Sequence, residues 1–154
     1  MKNLYFYCIA LLIATAANAQ TAAEKALVGK WNITSVGIEG NTVELDTGKI
    51  VFTDEALKEA KEAGVDIEDA KRDFKALGQS YKNINLSLNA NGTLQMKLQN
   101  HMLNDETYTI TEKDGRHYIV GQKSGETEYT LVDGVLLMMV NKGGDMMHLY
   151  FKKE

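Results

Sequence analysis

The chain has 154 residues, of which 44% are hydrophobic and 25% are charged, so its length and composition suit one globular domain. A chain of this length buries about 70% of its unfolded surface, which is enough for a core that needs no disulfide or metal. The formal net charge is −4, and the charges are interspersed without a basic stripe. This pattern argues against nucleic acid and anionic membrane surfaces as partners.

The N-terminal segment has the pattern of a secretory signal peptide. It begins with Lys2, continues with an apolar run over residues 4–14, and ends with Ala17-Asn18-Ala19, which matches an A-x-A cleavage site. The apolar run is too short to cross the roughly 30 Å hydrocarbon core of a bilayer. We therefore expect a signal peptide over residues 1–19, a mature domain over residues 20–154 and no membrane span after cleavage.

This expectation places the protein outside the cytoplasm, in the periplasm or in the medium. Cys8 is the single cysteine of the chain and lies inside the predicted signal. The mature domain would therefore have neither a disulfide nor thiolate chemistry, although it would enter an oxidising compartment.

Turn signals recur through the second half of the chain. With 13 Gly and no Pro, the turns use Asn-Gly, Asp-Gly, Ser-Gly and Gly-Gly pairs, at spacings of about 8–12 residues that are typical of hairpins. Between the turns apolar and polar residues alternate, as in residues 84–88 and 94–98, which gives each strand one dry and one wet face. With two or three strands in residues 30–52, the total is nine or ten, and such a sheet tends to close.

A helical insertion at about residues 54–78 interrupts the strands. Its first helix can be capped at Thr53 or the next residue and can end at Gly64, and its second can start after Asp66 and end at Gly78. The second helix has an apolar stripe at helical spacing, formed by Ile67, Ala70, Phe74 and Leu77. Two arrangements remain open: a helix pair folded over one opening of a barrel, and a helix packed on the outside of the sheet.

Two short motifs carry a resemblance to a known family. Gly29-Lys30-Trp31 resembles the G-x-W motif of lipocalins and related calycins, in which the Trp lies across the closed base of the barrel and the Gly lets the backbone pass close to it. Thr127-Glu128-Tyr129 is similar to a second lipocalin signature. The resemblance implies an exported bacterial lipocalin-like domain, an antiparallel up-and-down β-barrel of eight to ten strands, with Gly29 and Trp31 as the plug of its base. Lipocalins place an Arg over this Trp, and Lys152 or Lys153 would replace it here by cation–π attraction.

The end of the chain has a second resemblance, to the intracellular fatty-acid-binding proteins. Their last strand holds the ligand's carboxylate with an Arg and a Tyr; Tyr150 matches the Tyr, but His148 stands in place of the Arg, which leaves carboxylate capture unsupported. The analogy would turn His148 and Tyr150 inward. We favour the opposite face, because two-residue turns would align it as one apolar surface: Tyr129, Leu131, Leu136, Met138, Val140, Met147, Leu149 and Phe151.

The function that follows is binding of a small hydrophobic or amphipathic ligand in the barrel lumen. A barrel of about eight strands has room for side chains or for one small ligand. Transfer of apolar surface from water would drive binding, and a Tyr hydroxyl would orient the ligand. The candidate lining residues are Phe74, Met96, Tyr108, Ile119, Tyr129 and Met138.

Two further functions remain open. One is a non-enzymatic structural or interaction module of the cell envelope with a filled barrel; the other is copper binding through Met139, Met146 and His148, because thioether and imidazole suit Cu(I). His101, His117 and His148 lie in different predicted hairpins, and no G-x-S-x-G, H-E-x-x-H or P-loop motif is present. We therefore expect no catalytic residues, no cofactor and no metal; the protein partner is unknown.

Overall fold

The computed structural model describes residues 22–154, so the predicted signal peptide lies outside the described residues. The helices are α1 (Ala22–Leu27), α2 (Asp54–Glu62) and α3 (Ile67–Tyr81). The strands are β1 (Gly29–Ile38), β2 (Asn41–Glu44), β3 (Ile50–Val51), β4 (Ile84–Leu88), β5 (Thr93–Leu98), β6 (His101–Lys113), β7 (Arg116–Gly121), β8 (Gly125–Val132), β9 (Val135–Lys142) and β10 (Asp145–Lys153).

The strands form one antiparallel sheet that closes on itself. Strand β1 pairs with β10 along one edge and with β4 along the other, and β4 to β10 follow one another in sequence order. The ring therefore has eight strands, which confirms the predicted up-and-down barrel. Strands β2 and β3 lie outside the ring, because β1 pairs with β4 through residues 29–32 and with β2 through residues 35–38. Closure removes the open edges that would invite aggregation.

The barrel has two ends, which differ in the turns that they carry. The turns β4–β5, β6–β7 and β8–β9 lie at the end where β1 begins, which we call the base. The turns β1–β2, β5–β6, β7–β8 and β9–β10 lie at the other end, which we call the upper end. In the ring order, β7 lies across the barrel from β1.

Two-residue turns set the register of the last three strands. Val132 pairs with Val135, and Asp133 and Gly134 have φ of 50° and 75°, as a tight hairpin turn requires. The turn at residues 143–144 likewise has two residues. The register turns the apolar set inward: Tyr129, Leu136, Met138, Met147, Leu149 and Phe151 are buried. The favoured inner face is thus confirmed, and the alternative with His148 and Tyr150 inside is wrong.

A β-bulge in β1 keeps its apolar residues on the inner face. The pairing with β10 shifts between Ile33 and Ser35, which leaves Thr34 as an extra residue. Trp31 and Ile33 precede the bulge, Val36 follows it, and all three are buried. Strict alternation from Trp31 would turn Ser35 inward, so the extra residue restores the inward position of the second half of the strand.

The second helix of the insertion, α3, packs against the core through Phe74 and Tyr81. The Thr53 side chain accepts a hydrogen bond from Ala56 N at 3.2 Å, and Asp66 caps α3. The prediction that Gly78 ends the second helix is wrong, because α3 continues to Tyr81. The Tyr81 hydroxyl donates to the inward-facing Met147 sulfur at 3.4 Å, so the helix lies over the inner side of the wall. This contact supports the arrangement over the opening.

Gly78 remains inside the helix because it is the point of closest approach to β2. A Cβ there would lie 2.8 Å from Val43 Cγ1 and 3.1 Å from Leu45 Cδ2. Both of these side chains are buried in the core. The missing side chain therefore lets α3 pack directly on the strand.

Candidate ligand-binding site in the barrel interior

Trp31 lies at the base on the side of β1, β4 and β10. It is 1% exposed, and its indole Nε1 donates to the Leu27 carbonyl at 2.8 Å. Helix α1, which sequence patterns did not reveal, supplies that carbonyl and buries Leu27 completely. Lys153 extends its ammonium group to 5.2 Å from the indole centroid and donates to the Ala26 carbonyl at 2.9 Å. Of the two lysines considered, Lys153 thus holds the position over the Trp.

Gly29 makes this arrangement possible. Its φ is +146°, and a Cβ would lie 2.4 Å from Lys153 Cε. A larger residue would displace the lysine stem that covers the indole. Gly29 and Trp31 therefore lie together at the base, where their role as a plug remains a prediction.

The six candidate lining residues all belong to one apolar core or pack against it. Tyr108, Ile119, Tyr129 and Met138 are buried members of that core, and Phe74 and Met96 pack against it as half-buried side chains. Phe74 comes from α3 and also contacts Phe52, with ring centroids 5.8 Å apart. The barrel thus brings the candidates together, and ligand contact with them stays a prediction.

The inner wall below the upper end is apolar and partly accessible. Four side chains there face inward and pack against the core, yet they keep intermediate exposure: Ile38, Met96, Leu98 and Val140. Side chains at the base on the Trp31 side are instead almost completely buried, Phe151 and Leu136 among them. The accessible apolar surface of the interior therefore lies under α3.

A row of inward-facing residues crosses the wall opposite Trp31. Glu112 pairs with His117, His117 with Tyr129, and Tyr129 with Met138. The His117 and Tyr129 rings have centroids 5.7 Å apart, and His117 Nδ1 lies 3.9 Å from a Glu112 carboxylate oxygen. Sequence reasoning missed Glu112 and His117. A two-residue turn at Asp114-Gly115 would have aligned them, because it pairs the residues on either side of it.

Tyr129 has a buried hydroxyl in this row. The residue is 3% exposed, and its hydroxyl has no hydrogen-bond partner among the residues that the structure describes. Burial, and then the negative charges of Glu24 and Glu112, raise the pKa of Tyr129 above its ordinary value. Burial and Glu24 likewise raise the pKa of Tyr108. The carboxylate of Glu24 therefore acts on both phenols, in addition to the larger effect of burial.

Glu106 is a buried carboxylate that binds the backbone of the β7–β8 turn. It accepts hydrogen bonds from Asn104 Nδ2, from Lys123 N and from Ser124 N, the last at 3.1 Å. Burial by itself would raise its pKa, but these hydrogen bonds outweigh burial and lower the pKa to about 2. Gly121 allows the approach, because a Cβ there would lie 2.6 Å from Glu106 Cδ. Glu106 therefore holds the β7–β8 turn and is not available to a ligand.

A separate cavity lies on the outer wall. It is a groove of about 540 Å³ formed mainly by polar residues: Thr34, Ser35, Thr42, Glu44, Asp46, Thr47, Val135, Tyr150 and Lys152. A smaller notch of about 190 Å³ lies where β1 changes partner from β4 to β2. The outer groove contains none of the six lumen candidates, so it is a separate surface.

The residues considered for copper share the outer wall. Met139 pairs directly with His148, and Met146 lies two residues before His148 on β10. Met146 is 45% exposed. Within residues 22–154, no three His, Cys, Asp or Glu side chains converge as a metal site would require.

Comparison with known proteins leaves the fold as the basis for classification. No protein-family model matches the chain, and no curated protein is significantly similar to it. No helix in the described part of the chain combines the length and the apolar character needed to cross a membrane. The closed, antiparallel eight-stranded barrel is consistent with a calycin-like fold.

Proposed function

We propose that the protein is an exported lipocalin-like protein that binds a small hydrophobic or amphipathic molecule in the barrel lumen. The calycin-like fold supports this proposal, and so does the accessible apolar wall under α3, which includes Met96 and Val140. Each Å² of apolar surface removed from water would contribute about 25 cal/mol. Export follows from the predicted signal peptide at residues 1–19.

The buried hydroxyl of Tyr129 is the observation that carries the proposal. A buried hydroxyl without a hydrogen bond costs about 1–3 kcal/mol. A polar group on a bound ligand would offset that cost and would orient the ligand against the row of Glu112, His117 and Tyr129. The apolar part of the ligand would then contact Ile119 and Met138, which lie on the same inner face.

Displacement of the neutral dye Nile red tests this function. We expect decanol to displace the dye from the wild-type protein and to bind about fivefold more weakly to Tyr129→Phe, because one hydrogen bond is lost. Tyr118→Phe is the matched control, since Tyr118 is a half-buried tyrosine on the outer face of the neighbouring strand. Failure of the dye to bind, or equal losses in both variants, would contradict the proposal.

A filled barrel that serves as an interaction module of the cell envelope is the second candidate. The tightly buried base favours it, as do the exposed apolar side chains Met102 and Leu103 at the start of β6, which are 45% and 52% exposed. Native mass spectrometry of protein isolated from its own envelope separates the two functions. A small-molecule adduct supports the carrier, whereas a stoichiometric protein complex without an adduct supports the module.

Copper binding is the third candidate, supported by the direct pairing of Met139 with His148. Cu(I) titration of the wild type and of the Met139→Leu and His148→Ala variants tests it. Equal affinity in all three proteins would exclude these residues as ligands.

A further inference from the structure

We infer that the polar group of the lumen ligand is a cationic amine, held near Glu112 and Tyr129, and not a carboxylate. This inference rests on the proposed function and adds the chemical class of the ligand. It departs from the fatty-acid analogy, in which the ligand is an anion.

The charged side chains around the interior are the first argument. On the wall opposite Trp31, Glu112 lies at the end of the row and its side chain is 64% exposed, so a ligand can reach it. Its neighbour His117 forms an ion pair with it only when the imidazole is protonated. Glu24 of α1 adds a second negative charge near Tyr108 and Tyr129.

Two lysines that could attract an anion are held by other groups. Lys153 is the lysine at the base, and its ammonium group is held by the Ala26 carbonyl and the indole of Trp31, across the barrel from β7. Lys113 follows Glu112 but points to the outer wall, where it pairs with Glu126. A ligand carboxylate in this row would therefore meet the carboxylate of Glu112, and neither of these two lysines is available to it.

The buried Tyr129 hydroxyl is the second, independent argument. It is 3% exposed, has no described partner and lies in the same row as Glu112. An ammonium group has three N–H donors and can donate to both a carboxylate and a phenol oxygen. The faces of Tyr108 and Tyr129 can add cation–π attraction. One amine can thus donate to the Tyr129 hydroxyl oxygen and to the Glu112 carboxylate at the same time.

Displacement of Nile red at pH 7 by three probes with the same ten-carbon tail tests the inference. The probes are decylamine, decanol and decanoate, each used below its critical micelle concentration. We expect decylamine to displace the dye at a concentration at least tenfold lower than decanoate, with decanol between them. Glu112→Gln should lower the ratio of amine to carboxylate affinity threefold to tenfold. Circular dichroism and thermal unfolding check that the variant is folded.

Glu44→Gln in the outer groove is the control variant, and it should keep the full preference for the amine. Loss of the preference in Glu44→Gln but not in Glu112→Gln would place the amine on the outer wall and overturn the inference. Decanoate binding as tightly as decylamine would also overturn it, while the proposed function would stand. Absence of displacement by all three probes would instead overturn the proposed function.

Discussion

The ammonium group of Lys153 lies 5.2 Å from the centre of the Trp31 ring and donates to the carbonyl of Ala26. One side chain from the last strand thus fastens the first strand and helix α1 at the base. The contact joins residues from the two ends of the described chain, so it closes the barrel as well as covering the indole.

Removal of this lysine should therefore loosen the base. We expect Lys153→Ala to lower the free energy of unfolding by about 1–2 kcal/mol, because the cation–π contact and a charged hydrogen bond are lost. Trp31 is the single tryptophan, so a red shift of the fluorescence would report exposure of this residue alone. Lys152→Ala is the control, since Lys152 points to the outer groove. Equal effects of the two substitutions would argue against a specific contact.

The close approach of α3 to β2 should not tolerate a side chain at residue 78. We expect Gly78→Ala to destabilise the protein by about 1–3 kcal/mol, although alanine favours helices, because its Cβ would overlap Val43. Urea unfolding measures the change. Gln79→Ala, at the exposed neighbouring position, should be neutral or slightly stabilising. A stabilised Gly78→Ala variant would show that α3 moves away at no cost.

The hydrogen bonds that the Glu106 carboxylate accepts should make the free energy of unfolding depend on pH in the acid range. Its pKa is about 2 in the folded state and 4.5 as the ordinary value, so the folded state binds this proton less readily than the unfolded state. The contribution of Glu106 is thus fully present above pH 4.5 and is lost as the pH falls towards 2.

Substitution of Glu106 measures this contribution. We expect Glu106→Gln to cost about 1–3 kcal/mol at pH 7 and less at pH 3, so the two unfolding curves should converge on acidification. Asp105→Asn is the control, because Asp105 is exposed beside it. If the difference in free energy of unfolding between wild type and Glu106→Gln does not narrow at low pH, Glu106 does not stabilise the fold as an ionised carboxylate.

The bulge in β1 should depend on the one extra residue, Thr34. Deletion of Thr34 would make Ile33 and Ser35 neighbours in strict alternation and would keep Trp31, Ile33 and Val36 on the inner face. We therefore expect the deletion variant to keep cooperative thermal unfolding, measured by circular dichroism, and loss of cooperativity would show that the bulge itself is needed. Thr34→Ala keeps the extra residue and loses only a long hydrogen bond to the Tyr150 carbonyl at 3.3 Å, so it should cost less than about 1 kcal/mol.

Local sequence patterns were sufficient to predict most of the strands and which face of each strand points into the barrel. The alternation in residues 84–88 and 94–98, and the positive-φ turn at Asp133-Gly134, are encoded by neighbours in the chain, because a strand repeats every two residues and a tight turn sets its own register. Phe74, which belongs to the stripe predicted at helical spacing, likewise packs against the core.

Long-range packing decided the rest. Gly78 has the sequence signal of a helix end, yet it lies inside α3, because contact with Val43 outweighs the local preference of glycine. The choice of Lys153 over Lys152 and the meeting of Glu24 with Tyr108 and Tyr129 depend on how the closed ring brings distant strands and α1 together. The sequence by itself determined which faces are apolar, since that information is local. Only the tertiary structure determined which polar groups meet inside the barrel, since each of those contacts joins residues that are far apart in the chain.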